Sequence, residues 1–202
     1  MQKLLDILAS GIHETKNQLF IAESLLAAAE SKHGIDLDEA RYTLEAAANR
    51  LARTLTAYRL LRHNAQLAII PTIVGDLCEE IALDQQKHLA AAGIALEVDN
   101  QAADEWPFDR ELVEDMLNNA VQNAGRHARS RIRLSAGEDA DGLWLRVEDD
   151  GPGFASLPPR QGTGLLVAER LAELHTRGTR HGKLTLDNDS ALGGARFELR
   201  LP

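Results

Sequence analysis

The sequence predicts an α+β protein: an antiparallel helical hairpin over residues 1–65, followed by an α/β sandwich over 66–202. Three observations predict it. Residues 2–62 repeat their apolar positions at helical and partly heptad spacing. From residue 66 onward, helical patterns are interleaved with short stretches in which apolar and polar residues alternate. The change falls at "NAQLAIIPTIV", where Pro71 interrupts helix.

The first helix spans about residues 2–31, with Leu5, Leu8, Ile12, Leu19, Ala22 and Leu26 on one stripe. Gly34 breaks it, and Asp36 can cap the next start. The second helix runs to about Arg62. In it Leu37, Leu44, Leu51 and Tyr58 recur every seven residues, and Ala40, Ala47, Thr54 and Leu61 fill the other seam position. Two helices alone leave much of such a seam wet. Dimerisation into a four-helix bundle covers it, and packing on the rest of the chain is the intramolecular alternative.

In the second part, "TIVGDLCEEIALDQQKHLAAAG" reads as a helix ending at Gly93 and "IALEVD" as a strand. "DRELVEDMLNNAVQNAGRHA" is helical, and "SRIRLSAG" and "GLWLRVED" are strands joined by a turn at "EDADG". A loop leads to the helix "GTGLLVAERLAELH", and "GKLTLDN" and "GARFELRLP" close the chain as strands. Such an order suits helices packed on one face of a mixed sheet. Trp106 and Trp144 are expected in the core, and His33, His63, His88, His175 and His181 on surfaces or at helix ends.

The chain has 202 residues, 44% of them hydrophobic, enough for a core. A net charge of −9 disfavours nucleic acid and anionic lipid as partners. The single cysteine, Cys78, excludes an internal disulfide and reads as a small buried hydrophobe. No apolar run approaches the roughly 20 residues that span a bilayer, and the start "MQKLLDILASGIHE" shows no cleavage pattern. A cytoplasmic protein without membrane association is therefore expected.

Three patterns carry chemistry. In "DDGPGF" Asp149 ends a strand, able to accept from an exocyclic amine such as that of adenine, while Gly151 and Gly153 let backbone approach a ligand. In "GTGLL" the glycines Gly162 and Gly164, with Thr163 between them, open a helix whose unpaired N–H groups can cradle phosphate. On the preceding helix Asn119 and Asn123 share a face, with Arg126 and His127 one turn on. Their carbonyls are hard ligands for a magnesium ion that bridges phosphates, and Arg126 can pair with a phosphate oxygen. An Asp-Gly turn, a glycine-rich cap and solvated polar residues are the plain readings of each alone.

Together, in this order, "NAVQNAGRH", "VEDDGPGF", "GTGLL" and "GGARFELRLP" resemble the asparagine box and glycine boxes of the histidine kinase ATP-binding domain. That domain belongs to the wider gyrase/Hsp90/kinase/MutL superfamily. The resemblance covers about residues 67–202 and implies a Bergerat-type sandwich that binds ATP and Mg2+. The cofactor-binding residues it implies are Asn119, Asn123, Arg126, His127, Asp149, Gly151, Gly153, Gly162, Thr163 and Gly164, with Asn119 and Asn123 on the metal.

"HETKN" then resembles the family's phosphoacceptor box. The resemblance implies that His13 is phosphorylated, that Glu14 accepts the imidazole proton, and that Asn17 positions a water or the partner's carboxylate. The hairpin resembles the dimerisation and phosphotransfer domain. A neutral imidazole beside a carboxylate is also, on chemical grounds, a good phosphoryl acceptor. A zinc site would need a second histidine four residues on, where Asn17 stands.

The implied protein is a homodimeric histidine kinase that phosphorylates a response-regulator receiver domain and takes its signal from a separate sensor protein or the regulator. An ATP-independent phosphotransferase and a regulator phosphatase or binding module are the alternatives. Gln18 replaces the family's usual proline, and Leu166 a frequent glycine. "ASLPPRQ" is far shorter than the usual nucleotide lid, which predicts weak ATP affinity with fast exchange.

Overall fold

The computed structural model describes residues 67–157 and 163–202, with a subset of positions between Thr15 and Leu51. The chain divides into two units, Met1–Ala65 and Gln66–Pro202. In the first, the described positions from 15 to 33 and from 39 to 51 are helical and 34–37 are not, in keeping with a break at Gly34. Leu19, Ala22, Leu26, Leu44 and Leu51 are half-covered, whereas Ala40 and Ala47 are exposed. His13, Glu14 and Asn17 lie outside the described residues, as does His63.

The second unit runs β1 (Ile69–Ile73), α1 (Val74–Ala91), β2 (Ala95–Asn100), β3 (Glu105–Asp109), α2 (Arg110–Gly125), β4 (Arg131–Asp139) and β5 (Gly142–Asp149). After these come α3 (Thr163–Leu174), β6 (Thr176–Arg177), β7 (Arg180–His181), β8 (Lys183–Asp187) and β9 (Arg196–Leu201). Five strands form one sheet in the order β2-β4-β5-β9-β8. The β2–β4 pair is parallel and the other pairs are antiparallel, so the sheet is mixed as expected.

Alternation decides the layers. Ile132, Leu134 and Ala136 of β4, Leu143, Leu145 and Val147 of β5, and Phe197, Leu199 and Leu201 of β9 are buried. The helices meet them with Val74, Leu77, Cys78 and Ile81 of α1, Leu112, Val113, Met116, Leu117, Ala120 and Val121 of α2, and Leu171 and Ala172 of α3. Each full burial of such a side chain stabilises by about 1.5–3 kcal/mol. Cys78 is buried as expected, and burial pushes its thiol up to about 11.

The helix ends follow local chemistry. Asp109 caps α2 by accepting from the Leu112 N–H at 3.3 Å. Past α1, Gly93 takes φ +72° and donates to the Ala90 carbonyl at 3.0 Å, while Ile94 N–H donates to Leu89 at 2.9 Å. This paired closure leaves Ile94 buried against the preceding turn.

Several expectations need correction. Pro71 lies in β1, which pairs antiparallel with β3, and its partner is Pro107. Neither proline donates, but a two-stranded ribbon leaves edges on which that costs little. An exposed two-stranded hairpin that hydrophobic periodicity does not announce, β6–β7, occupies "TRGTR". Trp106 and Trp144 are only half-buried. Trp106 Nε1–H donates to Glu138 at 3.1 Å, and Trp144 carries the Arg146 guanidinium 4.2 Å above its ring. On β5, Trp144 and Arg146 alternate with the core leucines, so they belong to the other sheet face.

That face is charged and paired. Arg146 and Arg200 donate to the two oxygens of Glu198, Arg200 also to Asp139, and Arg196 to Asp187. His175 does follow a helix end but is buried, at 3% exposure. Its Nδ1–H donates to the Leu171 carbonyl at 3.1 Å, and its Nε2 accepts from the Asp109 N–H at 3.2 Å. The imidazole thus joins the last turn of α3 to the first of α2.

Candidate functional site

Asp149 ends β5 at 5% exposure. One oxygen, Oδ1, accepts from the Gly151 N–H at 2.8 Å and the Ala195 N–H at 3.2 Å. Among the described residues nothing donates to Oδ2. A carboxylate fixed through one oxygen, with the other unengaged, is an oriented acceptor for a ligand's N–H.

Bare backbone surrounds it. A Cβ on Gly151 would run into the His127 carbonyl oxygen, and one on Gly194 into Asp149 Oδ1 and, at 2.6 Å, the Gly151 nitrogen. The chain past α2, the turn after β5 and the β8–β9 loop therefore meet where side chains are excluded. That loop also holds the strand end: Ser190 Oγ–H donates to the Asp149 carbonyl at 3.0 Å, and Ala191 N–H to Glu148 at 2.7 Å.

Asp150 ties the first two segments together. Its carboxylate accepts from Arg129 N–H at 2.7 Å, from Ser130 N–H at 3.1 Å and from the Ser130 hydroxyl at 2.7 Å. The Ser130 hydroxyl, aided by these backbone N–H groups, holds the carboxyl far below the usual carboxylate range. The clamp therefore stays charged at any physiological pH.

Helix α2 packs against β5 and presents Asn119 and Asn123 one turn apart, both half-buried. Among the described residues no partner takes their side-chain amides, and the opposite side of the helix is buried. Arg126 and His127 follow the helix and are exposed. Thr163 and Gly164 open α3, which lies against β8 and β9; Gly162 is outside the described residues. Among the described residues no group of three His, Cys, Asp or Glu could hold a metal.

The structure thus assembles Asp149, Gly151 and the His127 backbone, and sets the asparagine helix against the strand that carries Asp149. Sequence reasoning missed Asp150, Ser130, Ser190 and Asn188. Gly194 was legible only as part of "GGARFELRLP". Asn188 accepts from the Phe154 N–H at 2.7 Å and donates to the Phe154 carbonyl at 3.0 Å, from 34 residues away, with no local signal.

Residues 108–202 match the family described as "Histidine kinase-, DNA gyrase B-, and HSP90-like ATPase". The chain is 32% identical over 158 residues to the two-component sensor PhoQ of Pseudomonas aeruginosa, covering 70% of this chain and 32% of that protein. It is 30% identical over 215 residues to the sensor protein kinase CarS of the same organism, covering 94% of this chain and 44% of that protein. The chain thus spans less than half the length of these curated relatives. The solved ATP-binding domain of PrrB from Mycobacterium tuberculosis superposes with a TM-score of 0.56 at 26% identity, over 67% of this chain and 97% of that one. With a mixed sheet backed by helices, a buried acceptor carboxylate and a turn built from bare backbone, residues 108–202 carry the histidine kinase-type ATP-binding domain that this family describes.

Proposed function

We propose that the chain is the core of a two-component histidine kinase, which phosphorylates its own His13 from Mg-ATP and passes the phosphoryl group to an aspartate of a response-regulator receiver domain. The observation that carries this reading is Asp149, buried, fixed through Oδ1 by two backbone N–H groups and, among the described residues, unengaged at Oδ2, where it can accept the exocyclic amine of adenine. Relatives whose names describe two-component sensors and sensor kinases support the same direction.

In this reading Gly151 and Gly153 admit the base, and the backbone N–H groups at Gly162, Thr163 and Gly164 take phosphate oxygens at the start of α3. Arg126 and His127 stand beyond the asparagine helix for the same anion. Asn119 and Asn123 fit a hard cation, since their amide oxygens are half-buried and unbonded among the described residues; the ion would supply charge neutralisation for the phosphates. The neutral imidazole of His13 attacks the γ-phosphorus, the bond to ADP breaks, and the ring proton passes to Glu14, leaving a phosphoramidate. Asn17 then positions the regulator's carboxylate.

The reading includes a homodimer joined through the hairpin. Ile21 and Leu25, four residues apart on one helix, are 58% and 66% exposed in the single chain, apolar surface that a second bundle half would cover. Among the described residues no helix is long and apolar enough to cross a membrane.

Incubation with γ-labelled ATP and Mg2+ tests it. Label is expected on the wild-type chain, absent from His13→Ala, and reduced at least a hundredfold in Asp149→Asn, which presents an amide donor where the ligand needs an acceptor. Loss of one charged hydrogen bond plus an opposed donor pair accounts for about 3 kcal/mol. Labelling of His13→Ala at the wild-type rate overturns the reading.

A further inference from the structure

We propose that Asn188 is a positioning residue of the nucleotide pocket, acting through the backbone of Phe154 to hold the exit of the glycine turn in its ligand-ready form. The inference rests on the nucleotide reading of that pocket.

The geometry is specific to an amide side chain. Asn188 Oδ1 accepts from the Phe154 N–H at 2.7 Å, and Nδ2 donates to the Phe154 carbonyl at 3.0 Å, so one side chain satisfies both main-chain groups of one residue. Aspartate has the acceptor but no donor, and a serine hydroxyl is too short to span both. Asn188 thereby adds what a strand partner would add, at a point where the chain has left the sheet.

A second observation shows the turn built against this residue. Gly153 adopts φ +74°, and a Cβ there would stand 2.7 Å from Asn188 Oδ1. The glycine is thus required both by its own backbone conformation and by the neighbour that Asn188 places against it. Substitution on either side disturbs the same joint.

The joint stands at a boundary in the anchoring of the loop. Upstream, Asp149 is held by the β8–β9 loop, Gly151 by the Asp149 carboxylate, and Asp150 by Ser130. Downstream, residues 155–157 are exposed, and among the described residues no side-chain hydrogen bond holds them. Among the described residues of this loop, Phe154 is the last that a side chain holds. Because the Asn188–Phe154 pair is solvent-exposed, its contribution to global stability is small, and its effect falls on the local opening of the turn. A turn that is already ordered spares the ligand the entropy of ordering it.

The test uses the full chain. Calorimetric titration with Mg-ADP, thermal melting without nucleotide, and hydrogen exchange at the Phe154 amide are compared for wild type, Asn188→Ala and Asn188→Asp. Asn188→Ala is expected to weaken Mg-ADP binding about tenfold, equivalent to about 1.4 kcal/mol. Phe154 exchange should speed up while the melting temperature stays within about 2 °C of wild type. Asn188→Asp, keeping only the acceptor, should fall between. Wild-type affinity in Asn188→Ala overturns the inference, as does a collapse of thermal stability shared equally by both variants. A wild-type chain that binds no nucleotide at millimolar concentration overturns the functional reading and this inference with it.

Discussion

His175 shows what a buried titratable side chain costs at the scale of a single residue. Its Nε2 accepts from the Asp109 N–H, and its Nδ1–H is given to Leu171, so the geometry requires the neutral ring. Burial pulls its pKa below the ordinary histidine value, with the Leu171 and Ala172 carbonyls and the Asp109 carboxylate offsetting part of the shift. The unfolded chain therefore takes up the proton first as pH falls. His175's contribution is complete above about pH 6.5 and declines below it, by up to about 1.4 kcal/mol per pH unit until the folded protein also protonates. Urea unfolding at pH 7.5 and 5.0 checks this. The wild type should lose more stability between the two than His175→Gln, and equal losses would refute it. Asp149, Asn119 and Asn123 were legible in the sequence because each sits in a short motif. His175 and Asn188 were not, because their partners lie 66 and 34 residues away.

At the level of elements, α2 divides its faces between two tasks. Its buried side, from Leu112 to Ala124, joins the core, while Asn119 and Asn123 stand half-open. The period of 3.6 made that helix readable, and alternation did the same for β4, β5 and β9. β1 and β3 escaped because "IIPTI" and "EWPFD" each centre on a proline and neither alternates cleanly. The end of α1 was readable from Gly93, and it yields a clean test. Nothing lies within 4 Å of a Cβ placed there, so Gly93→Ala meets strain only from its positive φ. A loss of about 1–2 kcal/mol in urea unfolding is expected; an unchanged midpoint would show that the closure does not depend on it.

For the whole molecule, the heptad seam in the first unit and the mixed sandwich in the second follow different periods, which is why the change near Pro71 was visible. What the pattern cannot encode is the charged sheet face. Glu198 lies at 8% exposure between two arginines contributed by β5 and by its own strand, and only the β5–β9 register brings Arg146 across from it. Pairing there is local and nearly complete, so the net charge of −9 is not concentrated on that face. The exposed Ile21 and Leu25 and the wet alanine seam lead to an expectation about assembly. Sedimentation at micromolar concentration should give twice the mass of the 22.1 kDa chain. A single-chain mass would leave that apolar surface without its proposed cover.

The crowding of bare glycine backbone around Asp149 bears on how an inhibitor would fare. Gly151 and Gly194 tolerate no added carbon, and Asp149 Oδ1 is committed to the N–H groups of Gly151 and Ala195. A compound that satisfied Oδ2 and lay flat on those peptides would meet almost no position at which a single codon change could push it out while sparing the pocket. Resistance would have to arise at the rim, where amino acids still have freedom to vary.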